Sequence, residues 1–300
     1  MVNFRYHVVS LVAVFLALAA GLLLGSTISR VPVAVVSTPG PVSGLRAQIS
    51  ELTAELDSAG RFSAGVAPFA VAGRLSGQSV AVVSAPGVVG TVRGQVESML
   101  RRAGAVVTTD IVLTSSWLDP NQDTLLGALA ARLGGPPGGT SDTGAERAAS
   151  QLASVLVQRP GARARTATDL PTSLAAYQEG RLLTVSAGGQ TAASLAVLLV
   201  AAPGPTSSSV STQDLLSLVE ALDVRGSGAV LAGPVSAASD PGVLAAARAG
   251  GLATPVTTVD SIEAPPGQVA LVLALAGRLA GQIGNYGTGP GSGGPLPPAK

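Results

Sequence analysis

The N-terminus contains the sequence feature that most limits how this chain can fold. Between Arg5 and Arg30 lies a stretch, Tyr6 to Ser29, that contains no Asp, Glu, Lys or Arg. About 20 apolar residues in a helix span the roughly 30 Å hydrocarbon core of a bilayer, and a backbone in lipid must satisfy its own hydrogen bonds. The stretch therefore predicts a membrane helix, with residues 1–30 as the anchor. The apolar side chains assigned to this anchor are Val8, Leu11, Phe15, Leu16, Leu22, Leu23 and Leu24.

Three interpretations of this stretch compete. An uncleaved signal anchor is favoured, because Leu22–Leu24 continue the apolar run beyond Ala17-Leu18-Ala19, which fits the A-x-A cleavage pattern formally. A cleaved signal peptide and a buried core helix are the alternatives. The flanking basic residues are nearly balanced. Because a short N-terminal tail usually stays in the cytoplasm, we expect residues 31–300 to lie outside the plasma membrane.

The residue types that are missing exclude several classes of function. The chain has no Cys, and its single His is His7, at the mouth of the predicted anchor. A Ser-His-Asp triad, a His-ligated zinc site and a thiolate nucleophile are therefore excluded from the exported domain. The net charge of +1 provides no basic stripe that could neutralise phosphates. We expect no enzyme activity, no cofactor, no bound metal and no nucleic-acid partner.

Residues 31–60 predict a linker followed by a short coiled-coil stalk. Pro39-Gly40-Pro41 breaks any helix that continues from the anchor. In the next segment the residues Leu45, Ile49, Leu52 and Leu56 are spaced 4, 3 and 4 apart, as in the a/d seam of a coiled coil. Two heptads are short for an independent coiled coil, so a helix packed on its own domain is the alternative. A bilayer anchor raises the local concentration of the stalk, and we expect a homodimer.

Residues 61–286 predict an extracytoplasmic α/β domain. Val-rich and Leu-rich runs alternate with amphipathic segments, which indicates a mostly parallel sheet flanked by helices. The predicted strands are 79–87, 105–113, 194–204, 229–234 and 254–262. The predicted helices are 88–103, 119–133, 145–157, 170–179, 212–222, 241–249 and 268–283. The Gly-rich segment 134–144 is a candidate internal break, and the Gly/Pro-rich segment 287–300 predicts a disordered tail.

Two predicted strands end in similar turns, Ser84-Ala85-Pro86-Gly87 and Ala201-Ala202-Pro203-Gly204. Ligands of open α/β sheets collect at the carboxyl ends of strands. Neither turn has the pattern of a phosphate-binding loop, and each Pro removes an N–H that a phosphate would need. Plain structural turns are therefore the favoured interpretation.

Several polar residues are weaker candidates for a site. Asp260 and Glu263 lie three residues apart, with Asp223 and Asp240 upstream, and paired carboxylates can bind hard cations or transfer protons. A solvated strand end is the favoured interpretation. In the segment 285–287, Gly287 is expected to form a turn and Tyr286 to pack against the domain.

Several motifs together resemble the MctB copper-transporter family of actinobacteria. They are RYHVVSLVAVFLALAAGLLLG (Arg5–Gly25), the heptad segment, AVLAGP (Ala229–Pro234), TTVDSIEAPPGQVALVLAL (Thr257–Leu275) and NYGTG (Asn285–Gly289). The resemblance implies an envelope protein with an N-terminal membrane segment that limits copper accumulation, described as a channel-forming outer-membrane protein. Other members of the family are regarded as single-pass dimers that work with a cytoplasmic partner in envelope or division control.

Two hypotheses about function follow from this resemblance. The first is a channel or accessory protein in copper efflux. Only the family resemblance implies copper. The alternative is a single-pass dimeric scaffold or regulatory module whose α/β domain binds a protein partner. The family description indicates the outer membrane, whereas the anchor read from the sequence indicates the plasma membrane.

Overall fold

The computed structural model describes residues 41–136, 139, 142–162, 169–204 and 208–298. The predicted anchor at residues 1–30 and His7 lie outside the described residues. Within the described ranges, no helix is both long enough and apolar enough to cross a membrane. The contacts of the chain divide it into two units, residues 1–57 and residues 58–300. The candidate break at 134–144 lies inside the second unit.

Helices and strands alternate along the described chain. The helices are α1 (Pro41–Val71), α2 (Gly90–Arg102), α3 (Asp123–Arg132), α4 (Gly144–Leu156), α5 (Asp169–Glu179), α6 (Ser209–Arg225), α7 (Val243–Arg248) and α8 (Pro265–Leu279). The strands are β1 (Ser79–Ser84), β2 (Val106–Leu113), β3 (Leu183–Gly188), β4 (Leu195–Leu199), β5 (Ala229–Ala232), β6 (Thr257–Val259) and β7 (Asn285–Tyr286). Short 3₁₀ turns occupy Ser115–Leu118, Pro120–Gln122 and Val235–Ala238.

The seven strands form one sheet in the order β3-β2-β1-β4-β5-β6-β7. The β2–β3 pair is antiparallel, and the other neighbouring pairs are parallel. The sequence prediction of a mostly parallel α/β sheet is therefore confirmed. Strands β3 and β7 were not predicted: the last three residues of β3 are exposed, and β7 has only two residues.

Each face of the sheet is covered by its own hydrophobic core. One core joins the sheet to α3, α4, α5, α6 and α7, and includes Leu152, Leu198 and Leu222. The other core joins the opposite face to α2, α8 and the end of α1, and includes Val82, Leu100 and Leu271. Parallel sheets require cover on both faces, which explains why β1 and β4 are continuous apolar runs instead of alternating ones.

Helix α1 continues beyond the predicted end of the stalk at residue 60. It runs from Pro41 to Val71, and its last turns bury Ala67 and Val71 against the core that α2 and α8 share. The predicted stalk ends at residue 60 because the 4-3-4 spacing of large apolar residues does not continue after Leu56. The segment that contains Leu45, Ile49, Leu52 and Leu56 is helical, as predicted.

In the C-terminal segment, hydrogen bonds hold residues 287–294, whereas the sequence predicted a disordered tail over 287–300. The Gly287 N–H donates to the Gly294 carbonyl at 2.9 Å, and the Gly293 N–H donates to the Asn285 carbonyl at 2.7 Å. The Thr288 N–H donates to the Asp260 carboxylate at 2.8 Å. A Gly/Pro-rich composition with few apolar side chains predicts disorder. Here backbone hydrogen bonds hold the glycines in place without the burial of apolar side chains.

Candidate functional site

A cleft opens where the order of the strands reverses. After β1 the chain passes to β2 on one side, and β4 later pairs with the other side of β1. The helix after β1 packs in one core and the helix after β4 packs in the other, so the two connections leave the sheet in opposite directions. In open α/β sheets this point, at the carboxyl ends of the strands, is the usual ligand crevice.

Both predicted turns line this cleft. The segments 85–87 and 201–204 are part of its lining, and its volume is about 640 Å³. The turns lie so close that a Cβ on Gly87, whose φ is +84°, would approach the Ala201 Cβ to 3.3 Å. Each turn was visible in the sequence, but their meeting depends on the pairing of β1 with β4, which no local pattern encodes.

The walls of the cleft supply hydroxyl groups and one carboxylate. Ser115, Ser116 and Asp119 come from the 3₁₀ turns after β2, and Ser211 and Thr212 come from the first turns of α6. Apolar cover comes from Pro86, Leu118, Val200, Pro203, Leu215, Pro241 and Val243. Sequence reasoning missed these polar residues, because Ser and Thr in turns and helix caps carry no distinctive spacing.

Some of these polar groups already have partners within the chain. The Asp119 Oδ1 accepts from the backbone N–H and the side-chain amide of Asn121, at 2.9 and 2.8 Å. The Ser211 hydroxyl takes part in the capping box of α6 with Ser208. For the hydroxyls of Ser116 and Thr212, no hydrogen-bond partner lies within the described part of the chain.

The carboxylates that the sequence grouped together have different surroundings in the structure. A single guanidinium nitrogen of Arg278 donates to both carboxylate oxygens of Asp223, with both distances 2.8 Å. The Glu263 carboxylate accepts from the Val235 N–H at 3.4 Å, and Asp240 is exposed. Over the described ranges, no group of three or more His, Cys, Asp or Glu side chains could hold a metal ion.

Asp260 lies at the centre of a buried polar cluster that joins two of the family-like motifs. Its carboxylate is 0% exposed and pairs with the Arg248 guanidinium at 2.9 Å. It also accepts from the Ser261 hydroxyl at 2.7 Å and from the Gly289 N–H at 3.1 Å. A Cβ on Gly287 would come within 2.3 Å of this carboxylate, so the close approach requires glycine there. These contacts make Asp260 a structural link between β6 and the C-terminal segment.

The pKa of Asp260 reflects these contacts. Burial by itself would raise the pKa of this carboxyl, since it disfavours the charged form. Hydrogen bonds from Ser261, from the Thr288 N–H, from Arg248 and from the Gly289 N–H outweigh that effect and hold the pKa below its ordinary value. The cluster therefore needs the ionised form of Asp260.

For a second buried carboxylate, Asp110 on β2, burial outweighs the contacts that favour the charged form. Its side chain is 4% exposed, and its only ion pair among the described residues is a 3.7 Å contact with Arg93. Burial raises the pKa of Asp110 to about 6, helped by the negative charge of Glu97, and Arg93 only partly opposes the shift. Its Oδ1 has no hydrogen-bond partner within the described ranges.

The predicted seam side chains are exposed on α1. The exposed fractions of Leu45, Ile49, Leu52 and Leu56 are 57%, 62%, 57% and 72%. Large apolar side chains on one face of a helix are normally buried against something. The dimer seam therefore stays a prediction, and these exposed side chains are the ones on which it depends.

A separate apolar stripe lies on the part of α1 that belongs to the second unit. Phe62, Val66 and Phe69 are spaced four and three residues apart, so they share one face of the helix. Their exposed fractions are 73%, 43% and 82%. Ala67 and Val71 lie on another face and are buried.

Comparisons with known proteins agree with the motifs. The family model described as "Copper transport outer membrane protein, MctB" matches residues 1–297. The protein named Copper transporter MctB of Mycobacterium tuberculosis strain H37Rv is 30% identical over 309 residues, covering 97% of this chain and 98% of that protein. The Mycobacterium bovis protein of the same name has the same identity and coverage. The Mycobacterium leprae protein of that name is 28% identical over 318 residues, with coverage of 97% and 98%.

Proposed function

The chain belongs to the MctB family, and from this premise we propose that it acts in copper handling at the cell envelope, as a homodimeric accessory protein. The copper role rests on the family description and on the names of the mycobacterial relatives. The envelope location rests on the same description and on the predicted anchor at residues 1–30. The dimer rests on the seam of α1.

The observation that carries this proposal is the exposure of the seam. Four large apolar side chains at a/d spacing have exposed fractions of 57% to 72%. Such a face is self-complementary, because the same residues on a second copy supply both the knobs and the holes of a coiled coil. Two heptads bind weakly, but two copies held in one membrane meet at a high effective concentration.

An accessory role fits the chemistry of the described residues. Cu(I) prefers thiolate, thioether and imidazole ligands. Met99 is 8% exposed and packs in the core between α2 and α8, where its thioether serves as an apolar group. We therefore place the action of this domain in assembly with other envelope components and not in metal ligation.

Copper content of cells tests the proposal. A strain of the native host with the gene deleted would be complemented with the wild-type chain, with a seam variant and with a control, and its copper measured by mass spectrometry. The seam variant is Ile49→Glu with Leu52→Glu. The control, Ser50→Glu with Ala54→Glu, adds the same charge to another face of the helix.

We expect the wild type and the control to restore a low copper content and the seam variant to fail. Equal copper content in the deleted and complemented strains would overturn the copper role. Restoration by the seam variant would overturn the dimer while leaving the copper role in place. In planar bilayers, discrete conductance from the full-length protein would replace the accessory role with a channel.

The scaffold or regulatory alternative has an observation of its own. Phe62 and Phe69 are 73% and 82% exposed, and aromatic side chains are enriched at the centres of protein interfaces. In this alternative a protein partner covers the stripe. Replacing Phe62 and Phe69 by Ser would then impair growth or envelope integrity while the copper content stays at its wild-type value.

A further inference from the structure

We propose that the cleft between the carboxyl ends of β1 and β4 binds a neutral, polyhydroxylated small molecule with the chemistry of a sugar. The inference is independent of copper handling and of the seam. It rests on the position of the cleft in the fold, on its size and on the chemistry of its walls.

Position and size both fit a small-molecule site. The cleft lies where the strand order reverses, which is where open α/β sheets bind their ligands. Its volume of about 640 Å³ falls in the range of roughly 300–1,000 Å³ that is typical of such sites. The lining residues that the two turns contribute include the small residues Ala85, Gly87, Ala201 and Ala202, so a ligand can approach the backbone of both turns.

The charge of the lining selects against anions. None of the described residues that line the cleft is Arg, Lys or His, and Asp119 adds a carboxylate to the wall. A phosphate or carboxylate ligand would lose its hydration here without gaining an opposite charge. The prolines at the centre of both turns remove backbone donors that an anion would use. The N-terminus of α6 also borders the cleft, and there the Ser211 N–H already donates to the Ser208 hydroxyl and the Thr212 N–H to the Ser208 carbonyl. The lining therefore favours a neutral ligand over a nucleotide or a sugar phosphate.

The remaining groups match hydroxyl-bearing ligands. The Ser116 and Thr212 hydroxyls have no hydrogen-bond partner within the described ranges, and each can both donate and accept. They come from two different elements, Ser116 from the 3₁₀ turn after β2 and Thr212 from α6. Pro86, Pro203 and Leu215 provide apolar surface for the C–H faces of a sugar ring. A ligand that presents hydroxyls around an apolar ring satisfies both kinds of surface.

Saturation-transfer difference NMR on the full chain tests the proposal. The protein would be held in a detergent without a sugar head group. The probes are glucose, N-acetylglucosamine and glucose 6-phosphate at millimolar concentration; glucose and glucose 6-phosphate share one ring and differ in charge. We expect saturation transfer to at least one neutral sugar, and at least about tenfold weaker binding of glucose 6-phosphate.

Two glycines provide a matched pair of variants. Gly204 lines the cleft, and a Cβ built on it meets nothing within 4 Å, so Gly204→Trp adds a bulky indole to the lining without a clash at Cβ. Gly94 on α2 also has open space at its Cβ and lies outside the lining, so Gly94→Trp is the control. We expect Gly204→Trp to abolish the transfer and Gly94→Trp to retain it. A second variant, Ser116→Ala with Thr212→Val, removes the free hydroxyls and is expected to weaken binding by about tenfold.

Three results would overturn the proposal. They are the absence of transfer to both neutral sugars, transfer that survives both Gly204→Trp and the double hydroxyl variant, and tighter binding of glucose 6-phosphate than of glucose. None of these results bears on copper content or on the dimer, so the failure of this inference is distinguishable from the failure of the proposed function.

Discussion

Similar apolar side chains are buried in the strands of the sheet and exposed in the seam on α1. All five residues of β4 are buried, whereas each of the four seam side chains is more than half exposed. Burial of a Leu side chain stabilises a fold by roughly 1.5–3 kcal/mol. The sheet has already gained this stabilisation within one chain, and the seam has not. We propose that the α/β domain, called the body below, is stable without the seam and that the seam serves assembly with a second copy.

The largest expected effect comes from breaking the Arg248–Asp260 pair in the body. Asp260→Asn leaves the buried Arg248 guanidinium without a counter-charge and directs an amide donor toward the N–H groups of Thr288 and Gly289. We expect a loss of about 3–5 kcal/mol in the free energy of unfolding, measured by chemical denaturation. Association of the full chain in a membrane would be unchanged at temperatures where the variant is folded.

Asp240→Asn is the control for this change, because Asp240 is exposed and the substitution is also Asp to Asn. We expect its effect to stay within about 0.5 kcal/mol. Equal effects of the two substitutions would show that the Asp260 cluster does not hold the C-terminal segment.

A smaller effect of opposite sign is expected at Asp110. The folded chain holds the Asp110 proton up to a pKa of about 6, whereas the free carboxyl releases it near 3.8. The folded state therefore binds more protons between those values, and the free energy of unfolding falls as the pH rises through that window. Asp110→Asn removes this penalty, so we expect it to stabilise the chain at pH 7 by about 1–3 kcal/mol.

Denaturation series from pH 4 to pH 7 would measure this effect. The variant would show a flatter dependence on pH than the wild type, with the difference growing as the pH rises toward 6. Parallel curves for the two proteins would show that burial imposes no cost on the Asp110 charge. Asp214 also contributes to the wild-type slope, because burial raises its pKa to about 6, helped by the charges of Asp123 and Glu146.

The smallest expected effect on the body comes from charging the seam. Ile49→Glu with Leu52→Glu changes only exposed side chains, so the thermal unfolding midpoint of the α/β domain is expected to move by no more than that of Ser50→Glu with Ala54→Glu. A marked loss of stability in the seam variant alone would mean that the seam packs on the body after all.

The sequence predicted those parts of the fold whose signals are local. β1 and β4 are continuous apolar runs that end in turns, and such runs are typical of buried parallel strands. The edge strand β3 was missed because its exposed residues, such as Ser186, show no apolar run. The candidate site was harder to predict, because the contacts that form it are long-range. Asp260 meets Arg248 and Gly289 across 12 and 29 residues.

Cross-linking of single-cysteine variants tests the central claim, the seam dimer, most directly. The chain has no Cys, so Leu52→Cys introduces its only thiol. Ala54→Cys places the thiol about 200° further around the same helix. With the full chain in membranes and under mild oxidation, we predict a covalent dimer for Leu52→Cys and a monomer for Ala54→Cys. Equal cross-linking of the two variants, or none in either, would contradict the seam as the dimer interface.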